Sequence, residues 1–211
     1  MNTLTEIFTH RIVAILRGAG PDDVLKIASA LYRGGIRILE VTLNSEDALQ
    51  SIEKLSGAMP ADMHVGAGTV LNAMAVRAAV SAGARFIISP SLDADVIGTT
   101  KELGAVSVPG AYTPTEIVTA FRYGGDIIKV FPSSSNVNYI KEIRAPLPDI
   151  PLMPTGGITK ENLRAYFKAG ASAVGIGTAL VKPGTDLTEE YVGRLTENAR
   201  EFVQIKNEAF S

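Results

Sequence analysis

One phrase recurs along this chain and limits what it can become: a helix-like stretch closes on glycine, and a short apolar run follows within a residue or two. It is written as GGIRILEVT, AGARFIISP, LGAVSVPG, GGDIIKVFP and AGASAVGIG. Each glycine suits the position just past a helix C-terminus, where a left-handed backbone is free of Cβ strain. The stretches between carry apolar residues at helical spacing, as in Val24, Ile27, Ala28 and Leu31 after Pro21. With IVAIL at 12–16, MHVGAG at 63–68 and IPLMP at 150–154, the chain yields about eight strands, each followed by a helix. That pattern in 211 residues predicts an α/β fold, a single-domain (β/α)8 TIM barrel over residues 1–211 with a short N-terminal helix. The competing architecture is an open doubly wound sheet, which places a glycine-rich turn after its first strand. Here that strand ends in Leu16-Arg17-Gly18, which is not such a fingerprint.

In such a barrel the site lies at the C-terminal ends of the strands. Those ends hold Arg17, Glu40, Thr69, Pro90, Lys129 with Phe131, Thr155 and the segment GIGT at 175–178. Lys129 is the odd member of its run, flanked by Ile127, Ile128, Val130 and Phe131. Two readings stand for it. Either the side chain snorkels from the strand end to water, or burial depresses its pKa and leaves a neutral amine, which is a nucleophile. Alternation puts Ile127, Lys129 and Phe131 on one face, so Lys129 is expected to point into the barrel mouth with Phe131 above it. Glu40, in ILEVTL, is a second charge within an apolar strand. The two form either a buried ion pair or an amine and a proton carrier sharing a pocket.

Neighbouring strand ends carry anion-binding equipment. Thr155-Gly156-Gly157 follows strand seven, and Gly175-Ile176-Gly177-Thr178 closes strand eight. Loops at these two positions commonly hold phosphate through backbone N–H groups that glycine leaves unobstructed. Ser133, Ser134 and Ser135 after strand six are either further donors or an ordinary loop and helix cap. TPTE at 113–116 has a structural account as a capping box with proline at the first helical position, and it is assigned no chemistry.

Composition removes several classes. The absence of cysteine excludes disulfide and thiol chemistry. No run approaches the ~18 apolar residues of a membrane span, and the N-terminal MNTLTEIFTHRIV has no long apolar core, so no membrane partner and a cytoplasmic location are expected. The formal charge is −2 with basic residues scattered, against the positive stripe that nucleic acid requires. His10 and His64 are the only histidines and lack carboxylates at metal-ligand spacing, so both read as structural, and no metal or other cofactor is expected.

EVTL at 40–43, GAGT at 66–69, ISP at 88–90, PGxxTPTE at 109–116, KVFP at 129–132, PTGG at 154–157 and GIGTAL at 175–180 occur in order over nearly the whole chain. Together they resemble the aldolases that cleave 2-keto-3-deoxy-6-phosphogluconate and 4-hydroxy-2-oxoglutarate, a family that includes 2-keto-3-deoxy-6-phosphogalactonate aldolases. The resemblance implies that Lys129 forms a Schiff base with pyruvate and that Glu40 is the acid/base group. It places Thr69 and Thr155 about the pyruvate carboxylate, Pro90 and Phe131 along its pocket, and Gly156, Gly157, Gly175, Gly177 and Thr178 at the phosphate. It implies a phosphorylated 2-keto-3-deoxy sugar acid as substrate, pyruvate and glyceraldehyde 3-phosphate as products, and a homotrimer. One departure stands out: several family members carry an arginine after EVTL that clamps the substrate carboxylate, and this chain has Asn44-Ser45. Arg17 is the candidate replacement, and Asn44, a short amide able to donate and accept, is a candidate substrate contact near C4. Rival functions are a metal-free phosphosugar isomerase or epimerase using Glu40 as base, and a phosphosugar-binding protein without catalysis.

Overall fold

The structure, a computed structural model, describes residues 2–133 and 136–210. Among them the helices are α1 (Thr3–His10), α2 (Val24–Arg33), α3 (Ala48–Ala58), α4 (Ala73–Ser81), α5 (Ala94–Glu102), α6 (Pro114–Arg122), α7 (Val137–Arg144), α8 (Lys160–Lys168) and α9 (Glu189–Ala209). The strands are β1 (Ile12–Leu16), β2 (Ile38–Thr42), β3 (His64–Gly68), β4 (Phe86–Ile88), β5 (Val106–Val108), β6 (Gly110–Ala111), β7 (Ile128–Val130), β8 (Leu152–Pro154) and β9 (Val174–Ile176). The result is an α/β fold whose paired strands are all parallel, six in the order β5-β4-β3-β2-β1-β9 and three in the order β6-β7-β8.

The recurring glycine phrase has one structural meaning. Gly35, Gly83, Gly104, Gly124 and Gly170 all have positive φ. After each, the next residue's N–H reaches a carbonyl five residues back, as from Ile36 to Leu31 (3.0 Å) and from Ala171 to Tyr166 (3.1 Å). This is the Schellman closure, and it turns each helix directly into its following strand.

One expected strand is divided. LGAVSVPG becomes β5 and β6 on either side of Pro109, because proline has no N–H to give to a ladder. Its carbonyl still accepts from Lys129 N–H at 2.9 Å, and the Ser107 carbonyl accepts from Asp126 N–H at 2.8 Å. On the other side, Thr155 and Gly175 form an isolated parallel bridge and Ser172 N–H donates to the Leu152 carbonyl at 2.9 Å.

Two apolar layers follow from the alternation of the strands. Outward residues such as Ala14, Leu39, Ala67, Ile128 and Val130 pack with the helices. Inward residues, Val13, Ile38, Phe86, Val106, Ile127, Met153 and Ala173, form a separate core, against which α1 seats Ile7 with Leu4 and Phe8. This apolar floor lies below the site residues. Lys129 stands two positions beyond Ile127, Glu40 two beyond Ile38, and Thr155 two beyond Met153.

His64 begins β3, is buried, and bonds Thr3 of α1 through Nδ1 at 3.0 Å. His10 pairs with Glu6 one turn earlier. The TPTE capping box forms as expected: the Thr113 side chain accepts from Glu116 N–H, and the Glu116 carboxylate takes the N–H groups of Tyr112 and Thr113.

Candidate active site

Glu40 and Lys129 are both almost fully buried, 1% and 5% exposed. Lys129 therefore does not snorkel to water, and its Nζ lies 4.9 Å from the centre of the Phe131 ring. No ion pair joins it to Glu40 among the described residues, and Glu40 Oε2 has no hydrogen-bond partner among them. The two groups share one environment without neutralising each other by contact. Burial pushes the Glu40 carboxyl up from its ordinary range, against the pull of the Lys129 and Arg17 charges. Burial pushes the Lys129 ammonium down, opposed by Glu40 and reinforced by Arg17. Each shift favours the uncharged form, which gives a more basic carboxylate and a readier amine.

Shape seats Glu40. Its Oε1 lies where a Cβ on Gly68 would stand, only 1.7 Å from the ideal position. One pleat earlier, a Cβ on Gly66 would meet the Phe86 ring at 2.4 Å. The bare inward face of β3 thus admits a phenyl ring from β4 and a carboxylate from β2. Across the interior, a Cβ on Gly175 would meet Thr155 Oγ1 at 2.5 Å.

Above this buried pair opens a cleft of about 630 Å³, whose lining includes Arg17, Phe131, Thr155, Gly156, Gly157, Gly175, Gly177 and Thr178. Phe131 is common to both levels, since it lines the cleft and covers the Lys129 ammonium. Gly156 and Gly157 have positive φ, and a Cβ at Gly177 would meet nothing within 4 Å. The cleft lining contains Arg17 and Lys182 as cations and no carboxylate.

The remaining sequence candidates lie outside the cleft lining. Thr69, half-buried at the end of β3, holds φ at +55°, an uncommon backbone for a β-branched residue. The Pro90 carbonyl carbon faces the space where a Gly110 Cβ would stand, 2.3 Å away. Asn44 is exposed in the turn after β2 and is not part of the cleft lining. Ser133 gives its hydroxyl to the Tyr166 hydroxyl of α8 at 2.8 Å, and the α7 cap is Asn136. Ser134 and Ser135 lie outside the described residues. Sequence reasoning missed two members. Lys182 was visible only as a cation in KPG beyond the last glycine motif, and Gly68 stood inside GAGT, where the threonine drew attention.

With this geometry in place, known proteins can be set beside it. The aldolase family described as "KDPG and KHG aldolase" matches residues 4–196. A 2-dehydro-3-deoxy-6-phosphogalactonate aldolase of Escherichia coli (strain K12) is 36% identical over 200 residues, 94% of this chain and 95% of that protein. A 2-dehydro-3-deoxy-phosphogluconate aldolase of Pseudoalteromonas atlantica is 40% identical over 158 residues, 74% of this chain and 73% of its own length. The solved structure of a KDPG aldolase from Legionella pneumophila, with pyruvate captured as a covalent carbinolamine intermediate, superposes with a TM-score of 0.78 at 26% identity, covering 97% of this chain and 96% of that one. From its family match, these relatives and the strand-end constellation, the chain belongs to the KDPG and KHG aldolase family.

Proposed function

We propose that this protein is a class I aldolase that cleaves 2-keto-3-deoxy-6-phosphogluconate to pyruvate and glyceraldehyde 3-phosphate. The observation that carries the reading is Lys129, a buried amine beside a buried Glu40 whose Oε2 has no partner among the described residues, beneath a cleft lined by cations and glycine loops and by no carboxylate. The neutral Lys129 amine attacks the C2 ketone to give a carbinolamine, and loss of water leaves an iminium that draws electrons from the neighbouring bond. Glu40 takes the C4 hydroxyl proton as the C3–C4 bond breaks, releasing glyceraldehyde 3-phosphate. The electron pair of that bond becomes the enamine. Glu40 returns the proton to C3, and water hydrolyses the iminium to pyruvate and free Lys129. The glycine loops after β8 and β9 receive the phosphate through backbone N–H groups. Arg17, in the same cleft, holds an anionic end of the substrate, and Thr69, Thr155, Pro90 and Phe131 enclose the pyruvate unit.

A second reading is supported by the Escherichia coli relative: the galactonate epimer, which differs only at C4, beside Glu40. We extend the proposal to one closed eightfold barrel, supported by the bonds from Lys129 to Pro109 and from Ser172 to Leu152. The expected assembly is a homotrimer, in which exposed Leu71 and Met74 are natural residues to bury. No described helix is long and apolar enough to cross a membrane.

Borohydride reduction in the presence of pyruvate tests the chemistry. It should inactivate the protein and leave a reduced pyruvyl adduct on Lys129 by peptide mass spectrometry. An adduct on another lysine would sink the assignment of Lys129, and none at all would favour an isomerase or a binding protein. Pyruvate release from both phosphorylated epimers, their unphosphorylated counterparts and 4-hydroxy-2-oxoglutarate then ranks the substrates. Equal efficiency without phosphate would remove the role given to the glycine loops.

A further inference from the structure

The Arg17 guanidinium lines the cleft and has no carboxylate partner among the described residues, so its side chain is not tethered there by an ion pair. What fixes its direction is the backbone on either side. Gly18 N–H donates to Ser45 Oγ at 2.8 Å. Thr42 Oγ1 donates to the Leu16 carbonyl at 3.3 Å and lies 3.1 Å from Ser45 Oγ. One proton assignment satisfies all three contacts: Gly18 N–H to Ser45, Ser45 O–H to Thr42, and Thr42 O–H to Leu16. The residue before Arg17 and the residue after it are therefore clamped by one two-hydroxyl chain from the end of β2. Thr42 is fully buried, and the Ser45 N–H bonds the Thr42 carbonyl at 2.9 Å, so the chain starts from a rigid strand end and a closed turn. At Gly18 the backbone is left-handed, with φ +72°, and a free loop would leave that conformation readily.

We propose that Ser45 is a positioning residue for Arg17, holding the loop after β1 so that the guanidinium faces the anionic substrate in the cleft. This inference rests on the reading of Arg17 as a substrate-binding cation. It gives the departure at Asn44-Ser45 a role: the turn after β2 supplies a hydroxyl that aims a cation carried by β1.

A double-mutant cycle in steady-state kinetics tests it, with the phosphorylated 2-keto-3-deoxy sugar acid that the wild type turns over best. Ser45→Ala should raise KM about tenfold with kcat changed by less than about twofold, the scale of one hydrogen bond lost from a binding arrangement. Ser45→Thr, which keeps the hydroxyl, should restore KM. In an Arg17→Ala background, itself strongly raised in KM, Ser45→Ala should add no further change. A full Ser45→Ala effect in that background would mean a structural role for the loop and overturn the proposal, as would an unchanged KM in Ser45→Ala alone. If Arg17→Ala has normal kinetics, the reading of Arg17 falls and this inference with it, which the two single variants keep apart from a failure of Ser45 alone.

Discussion

At the residue scale, the site is held at some expense to the fold. A buried carboxylate oxygen without a partner and a buried lysine without a contact ion pair, both among the described residues, cost stability in exchange for the proposed reactivity. For Glu40 the folded state raises the pKa above the reference value of 4.5. Between that value and the raised one, the folded protein holds a proton that the unfolded chain has released, so stability falls as pH rises through the window. Glu40→Gln keeps the shape and removes this cost. Turnover should fall by roughly 10²- to 10⁴-fold, while the melting temperature rises relative to wild type at pH 8 and the gain shrinks toward pH 4.5. Near-normal turnover would make Glu40 structural. Gly68→Ala makes the complementary test, since its Cβ and Oε1 cannot both occupy a separation of 1.7 Å. The carboxylate must move, and kcat should fall at least tenfold, with pyruvate trapping at Lys129 retained if Glu40 alone is displaced. Unchanged kcat would show that the seat on Gly68 does not matter.

At the scale of the element, the proposed reacting groups stand at strand ends and the proposed anion sites are loops. The loop after β9 separates charge from strain, because Gly177 lacks positive φ and a Cβ there would meet nothing within 4 Å. Gly177→Asp should therefore leave the melting temperature within about 2 °C, the scale of a surface change, and raise KM steeply for a phosphorylated substrate. Unphosphorylated analogues should be affected far less, and an equal effect on both would take this loop out of the phosphate site. The elements themselves were legible because local signals agree. The Schellman glycines stop the helices, Pro114 starts α6, and the 3.6 and 2.0 periods mark buried faces. The break at Pro109 also follows from sequence, since a residue without N–H interrupts a ladder. It was less visible because Ala105, Val106 and Val108 lead up to it and the chain continues extended beyond it.

Across the whole molecule, α1 lies at the opposite end from the cleft, and its contribution is to the apolar floor. Ile7 is 1% exposed and joins Val13, Ile38 and Phe86 in the inner core. Ile7→Ala should cost about 2–5 kcal/mol, a fall of roughly 5–15 °C in melting temperature, yet borohydride trapping of pyruvate at Lys129 should persist in the folded protein. Loss of trapping at temperatures where circular dichroism still reports the native fold would mean that the floor also shapes the site. The sequence by itself determined the βα order, the helix stops, the inward face of Ile127, Lys129 and Phe131, and the strand ends where chemistry collects, because each depends on residues a few positions apart. Only the tertiary structure decided that Lys129 is buried and free of a direct ion pair among the described residues, that Glu40 rests on the bare Cα of Gly68, and that Ser45 braces the loop of Arg17. Those relations join strands and loops distant along the chain. They are set by register and by the space a missing Cβ leaves, quantities that exist only once the strands have paired and packed on their core.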